Sequence, residues 1–227
     1  MAATFTPSNA LSYVKRVLGN MPIDDTEIEL RILNAAANRI HVTAPWRWAV
    51  GTFQDVLLAS ATDDYTITDP GDVLFPLFGQ LFFVDGKVKN VTAVGSLPAN
   101  DSVAGEPSRF SLTSATNIRV WPTPSDYGSG KFPTLVSFYK KQNTVITDGN
   151  KATASTLLFP DEWFWVFEEL VLYYGFKFSR DPQTGAARVN GGTVETSGQL
   201  AVAQAALQEM ILREKPLLMD LGEPNNG

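Results

Sequence analysis

The sequence predicts an α+β protein in which helices from both ends of the chain form one bundle, with an antiparallel β-sandwich or barrel module inserted between them. Three observations carry this. Apolar residues recur at helical spacing before residue 45 and again after residue 158. Between those limits the chain changes to short β-rich runs broken by turn residues. Proline stands at both joins, Pro45 and Pro160. The expected division is a helical domain of residues 1–45 and 158–215, a β-rich insertion of residues 46–157, and an extended C-terminal tail of residues 216–227.

Thr6 is placed to cap a first helix with Pro7 in its first turn; Leu11, Val14, Val17 and Leu18 then follow at helical spacing up to Gly19. A second helix is expected from Asp24, with Glu27 at capping-box spacing and Ile28, Ile32, Ala35, Ala36 and Ile40 as its apolar stripe. It should end between His41 and Ala44, because the residue before Pro45 is pushed out of the α region. Strand candidates are Ala49 to Leu58, Tyr65 to Thr68, Gln80 to Val84, Lys87 to Ala93, Ser108 to Leu112, Asn117 to Trp121 and Thr134 to Lys140. Asp85-Gly86 is the strongest hairpin signal, read as a two-residue turn with positive φ at both central positions.

Helical character returns at Pro160-Asp161-Glu162, where proline and acids suit a first turn. Trp163 to Phe178 follows, apolar on nearly every face, and should be buried on several sides. Arg180-Asp181-Pro182 should end it, and Asn190 to Gly198 reads as a flexible loop. Gln199 to Arg213 forms an alanine-rich helix with Leu200, Ala203, Leu207, Met210 and Ile211 on one face, stopped before Pro216.

Composition removes several function classes. Among 227 residues there are 18 Lys and Arg against 24 Asp and Glu, a formal charge of −6, with one His and no Cys. Disulfide frameworks, cysteine nucleophiles and thiolate metal sites are excluded, and a histidine-based triad could use only His41. The acidic balance and a longest basic run of Lys140-Lys141 argue against a general nucleic-acid binder. No apolar run reaches the roughly 18 to 20 residues needed to cross a bilayer, and Met1 to Asn9 lacks the pattern of a secretory signal, so a soluble protein made inside a cell is expected. Charged residues make up 19% of the chain, below the roughly 25% usual for soluble domains, which points to surface spent on other chains.

Candidate chemistry is thin. The acid pairs Asp24-Asp25, Asp63-Asp64, Asp161-Glu162 and Glu168-Glu169 read as structural, since two of them sit at helix starts and adjacent residues on a helix do not share a face. His41 near a helix end suits a cap or dipole contact. No phosphate-binding loop stands between a strand and a helix, and no cofactor is expected. The aromatics are more informative. Trp46, Trp48, Trp163 and Trp165 lie at the joins and serve either as core and hinge packing or as interface anchors. Leu217 to Leu221 either folds back on the domain or is offered to another subunit.

Read in order, the landmarks are Asn34-Ala35-Ala36-Ala37-Asn38-Arg39-Ile40 leading to Trp46-Arg47-Trp48, then Gly105-Glu106-Pro107-Ser108-Arg109-Phe110, Ile118-Arg119-Val120-Trp121-Pro122-Thr123-Pro124 and Phe138-Tyr139-Lys140-Lys141. Pro160-Asp161-Glu162-Trp163 and Arg180-Asp181-Pro182 complete the series. Over about residues 24 to 213 this order resembles the head-to-tail adaptor proteins of tailed bacteriophages, especially the tubular adaptors of short-tailed phages. The resemblance implies a virion structural protein of the neck, made in the host cytoplasm, without catalysis. It implies a homo-oligomeric ring, commonly dodecameric, that joins the portal protein to the tail nozzle or tail tube protein. Genomic DNA would pass through its lumen without specific binding, and no membrane is involved.

In several such adaptors the C-terminal segment grips the portal, which implies that role for Leu217, Leu218, Met219 and Leu221. Gly191-Gly192 and Gly198 depart from the more continuous helix expected there. A stopper or tail terminator of the same neck is the near alternative. A carbohydrate-binding β module, with Trp121, Tyr127, Phe138 and Tyr139 as stacking residues, is the distant one. A ring subunit must bury two different flanks, which suits a chain of low charge density, and an acidic lumen would let DNA slide.

Overall fold

A computed structural model describes residues 5–18, 25–44, 46–97, 103–125, 127, 131–190 and 193–214 of the chain. In chain order the elements begin with helices α1 (Pro7–Leu18) and α2 (Thr26–Thr43). Strands β1 (Val50–Thr52), β2 (Val56–Leu57), β3 (Asp64–Thr66), β4 (Val73–Phe82) and β5 (Val88–Ala93) follow. Then come β6 (Ala104–Gly105), β7 (Arg109–Ser114), β8 (Asn117–Trp121), β9 (Thr123–Pro124) and β10 (Thr134–Lys141). The chain continues through α3 (Phe164–Ser179), the hairpin β11 (Ala187–Asn190) and β12 (Thr193–Thr196), and α4 (Gly198–Glu214). Four helices and a curled mixed sheet make this an α+β protein. Two compact units result, Met1–Ala49 with Asn143–Gly227, and Val50–Gln142.

The helical unit is organised around α3, which packs against α1, α2 and α4. Its Phe164, Val166, Phe167, Leu170, Val171, Leu172 and Phe176 are all buried. They meet Leu11 and Val14 of α1, Ile32, Leu33, Ala36 and Ile40 of α2, and Ala203, Leu207 and Met210 of α4 in one core. The local signals act as their chemistry requires. Pro7 opens α1, and the Thr6 hydroxyl accepts from the Asn9 N–H at 3.3 Å. The cap of α2 is Asp25 rather than Asp24: its carboxylate accepts from the Glu27 N–H at 2.8 Å. Glu27 is then free to pair with Arg31 one turn on. Pro160 precedes a single 3-10 turn, Asp161–Trp163, that leads into α3. At its other end Arg180 adopts φ 56°, and the N–H groups of Arg180 and Asp181 bond back to Lys177 and Phe176 carbonyls, closing the helix.

Residues 143–157, which sequence reading groups with the β module, pack in the helical unit. Asn34 grips Ile146 from both sides: its amide donates to the Ile146 carbonyl and its side-chain oxygen accepts from the Ile146 N–H, each at 2.8 Å. Ser8 bonds the Lys151 carbonyl through its backbone N–H at 2.9 Å. Glu29, its side chain 8% exposed, is held by Lys15 at 2.5 Å and Lys151 at 3.2 Å, so the buried carboxylate is paired on two sides.

Where a flexible loop is expected, from Asn190 to Gly198, strand β12 (Thr193–Thr196) pairs with β11 and leads into α4. β11 and β12 pair antiparallel from Ala187–Thr196 to Asn190–Thr193. The base is fixed by Gly185 and Gly198, at φ 82° and 60°. A Cβ on Gly185 would lie 1.7 Å from the Ser197 carbonyl oxygen, so the two backbones approach as only glycine permits.

In the β unit the sheet runs β1-β10-β4-β5-β7-β8-β3, with β2 also on β10, and curls into a half-barrel. The pairing is antiparallel as expected, save for β5 with β7 and the small ribbon β6 with β9, which are parallel. β4 is longer than the expected Gln80 to Val84 because it runs through Pro76. That residue sits opposite Tyr139 at a bulge, where a missing N–H costs no ladder bond. The Asp85-Gly86 hairpin forms, but only Gly86 takes positive φ (85°). The Gly86 N–H bonds to the Phe83 carbonyl and the Phe83 N–H to the Lys87 carbonyl, making a longer turn closed by one left-handed glycine. The concave core gathers Tyr65, Leu81, Val91, Phe110, Ile118, Val120 and Leu135.

Removing the Asn34 clamp leaves the Ile146 N–H without its partner and its carbonyl without that donor, at a residue only 1% exposed. Asn34→Ala should therefore lower unfolding free energy by about 1–3 kcal/mol in chemical denaturation.

Candidate interaction surfaces

The four tryptophans at the joins occupy different environments. Trp46 is fully buried, and its indole N–H donates to the Ile40 carbonyl at 2.6 Å. That carbonyl is one of those the end of α2 leaves unpaired, so the ring closes the helix terminus. Trp48 stacks on Trp46 at 5.8 Å and 12° and is half-buried. His41, buried in the last turn of α2, lies 6.3 Å from the Trp48 ring. Trp163 is buried, donates to Glu214, and carries the Arg213 guanidinium 5.6 Å from its centroid. Trp165, 37% exposed on α3, turns outward. Leu217, Leu218, Met219 and Leu221 lie outside the described residues.

The acid pairs are each accounted for locally. Asp25 is the α2 cap; Asp64 takes the Arg119 guanidinium, with Nε at 2.9 Å from Oδ1; Asp161 and Glu162 occupy the turn before α3. Glu169 accepts from Gln199. The Glu168 carboxyl is held above its usual range, first by burial and then by the Glu169 charge, against a smaller pull from Arg16. Among the described residues no group of three or more His, Asp or Glu could hold a metal ion.

The rings proposed as a sugar platform are divided. Phe138 stacks on Phe78 at 4.6 Å, while its neighbour Tyr139 points to the other side, packs on Phe53 at 4.6 Å and donates to Asp72 at 2.7 Å. Tyr127 packs edge-on against Phe132 and Phe83, and burial pushes its phenol up to about 12. Trp121 lies under Arg109 at 5.4 Å.

The sheet exposes a surface that sequence reasoning missed. Register places Phe78, Gln80 and Phe82 of β4 on the side opposite the core. Phe138, Val136 and Thr134 of β10 stand beside them, and Thr92, Asn90 and Val88 of β5 complete three rows. None of these nine side chains is charged. Phe82 and Val88, directly paired, are 42% and 51% exposed, and Leu57 beside Thr134 is 67% exposed. The available signal was the run Val73-Leu74-Phe75-Pro76-Leu77-Phe78, apolar at successive positions and so apolar on both faces of a strand. On the helical unit Phe178 and Val202, 44% and 48% exposed, and Leu212, 76% exposed, add to Trp165. Contiguous apolar surface such as that of the sheet face is the kind that marks contact sites, whereas singly exposed apolar groups are ordinary.

A family model described as SU10 adaptor protein matches residues 7–217. No curated protein matches the chain.

The sign of the Glu168 shift is testable. A carboxyl raised above its unfolded value contributes stability below the unfolded range, and that contribution is lost as pH rises through the folded value. Glu168→Gln should raise the melting temperature at pH 7, and the gain should shrink toward zero as pH falls below the carboxylate range.

Proposed function

We propose that this chain, which belongs to the SU10 adaptor protein family of bacteriophage adaptors and is a structural component of the virion neck, is the head-to-tail adaptor, a dodecameric ring that joins the portal to the tail nozzle or tube and lines the DNA exit channel without catalysis. In this reading it works as the tubular adaptors of short-tailed phages do. The family match over residues 7–217, which takes in both units, carries the proposal.

Two physical features support a ring. A closed ring buries two different surfaces of each subunit. The chain has an uncharged surface to offer on the outer face of the sheet around Phe82 and Val88, and the helical unit adds exposed apolar side chains at Trp165, Phe178 and Val202. The formal charge of −6 supports the conduit role, since an acidic lumen repels the phosphate backbone rather than binding it. Leu217, Leu218, Met219 and Leu221 are the portal-gripping residues of this reading, and Trp165 is an interface anchor while Trp46, Trp48 and Trp163 brace the subunit from within.

Phe82→Asp should shift the mass from ring to protomer with an unchanged circular dichroism spectrum, because the side chain lies outside the core. A ring that persists would remove the sheet face from the subunit contacts. Deleting residues 216–227 should abolish attachment to the portal while leaving the protomer folded, with an unchanged circular dichroism spectrum. A truncated protein that still binds the portal as tightly would assign the grip elsewhere.

A further inference from the structure

The helical unit contains a cleft that none of the roles above uses. It is a cavity of about 210 Å³ between the C-terminal halves of α2 and α3 and the N-terminal half of α4. Its floor is apolar: Leu170, Ala203 and Leu207 are 2%, 1% and 4% exposed. Its rim is cationic and aromatic. The Lys177 ammonium stands 5.9 Å and 5.7 Å from the Tyr173 and Tyr174 rings, and Arg39 faces the same opening. No Asp or Glu lines the cleft, and among the described residues neither Arg39 nor Lys177 forms an ion pair. Elsewhere in this unit Lys15, Arg31, Lys151 and Arg213 all have carboxylate partners.

Two unpaired cations above an apolar floor suit an apolar segment that carries acids. The chain provides one immediately after α4. Residues 216–223 read Pro-Leu-Leu-Met-Asp-Leu-Gly-Glu, with two acids, four large apolar side chains and no base. The reach is sufficient. Gln204, at the cleft, precedes Glu214 by ten residues of α4, roughly 15 Å of helix. α4 is described to Glu214, and the six residues from there to Asp220 would span about 20 Å if extended. A tether this short also gives the segment a high effective concentration at its own cleft compared with that of another chain.

We propose that residues 217–223 dock in this cleft of their own chain, with Leu217 and Leu218 on the Leu170–Leu207 floor and Asp220 and Glu223 against Arg39 and Lys177. The docking stands independently of any portal role. If the same segment grips the portal, the cleft keeps it covered until the portal displaces it.

The absence of cysteine allows a direct test on the full chain. Gln204→Cys with Leu218→Cys, treated with a short bismaleimide reagent in dilute solution, should crosslink within one chain several-fold faster than Ser12→Cys with Leu218→Cys. Adding Arg39→Glu and Lys177→Glu should slow the first pair roughly fivefold, the scale of one exposed ion pair at its upper value. Adding Asp220→Lys and Glu223→Lys to that variant should restore the rate, which an unfolded protein could not do. Equal rates for the two pairs, products that join two chains, or a rate unmoved by charge reversal would each overturn the proposal.

Discussion

Burying α3 is the constraint from which the helical unit follows. An apolar helix with buried residues around most of its circumference cannot be satisfied by one neighbour. It draws α1 and α2 from the start of the chain and α4 from its end. Both ends of the chain must therefore meet in one core, and everything between Ala49 and Asn143 becomes an insertion. Several polar groups caught in that packing are paired. Glu29 is held by two lysines, the Ile40 carbonyl by the Trp46 indole, and both backbone groups of Ile146 by Asn34. Each such pairing avoids the cost of a buried unsatisfied group.

The same economy explains what is left outside. Once α3 has taken the inner faces of its neighbours, Trp165, Phe178, Val202 and Leu212 remain in water, as do Phe82, Val88 and Leu57 on the sheet. Scattered exposed apolar residues are ordinary, but three uncharged rows on one sheet face are not. A protein that works as one member of an assembly has a physical reason to keep such a face. Several of its acids serve as helix caps and ion-pair partners.

Much of the fold was legible because local chemistry and tertiary packing agree. Pro7, Pro160 and Arg180-Asp181-Pro182 mark helix limits by removing donors or fixing φ, and the stripes of α2 and α4 recur at helical period. The departures have equally local causes. β4 begins well before the expected Gln80, and a bulge opposite Tyr139 absorbs Pro76 within it. The glycines before α4 read as slack, whereas Gly185 and Gly198 enforce a close backbone contact that depends on distant pairing. Residues 143–157 carry no periodicity of their own; their position rests on partners more than a hundred residues away, Asn34 on Ile146 and Ser8 and Glu29 on Lys151. As for the surfaces, the tryptophans could be named but not sorted into buried and exposed. That distinction depends on which face each ring presents after packing, and only Trp165 turned outward among them.

Imaging the protein by electron microscopy together with its cognate portal tests the central claim most directly. The account predicts an axial ring of twelve copies seated on the portal, with the uncharged sheet face and the exposed apolar helix side chains between neighbouring subunits and acidic side chains lining the lumen. A protein that stays monomeric beside the portal, or a ring with a basic lumen, would contradict it.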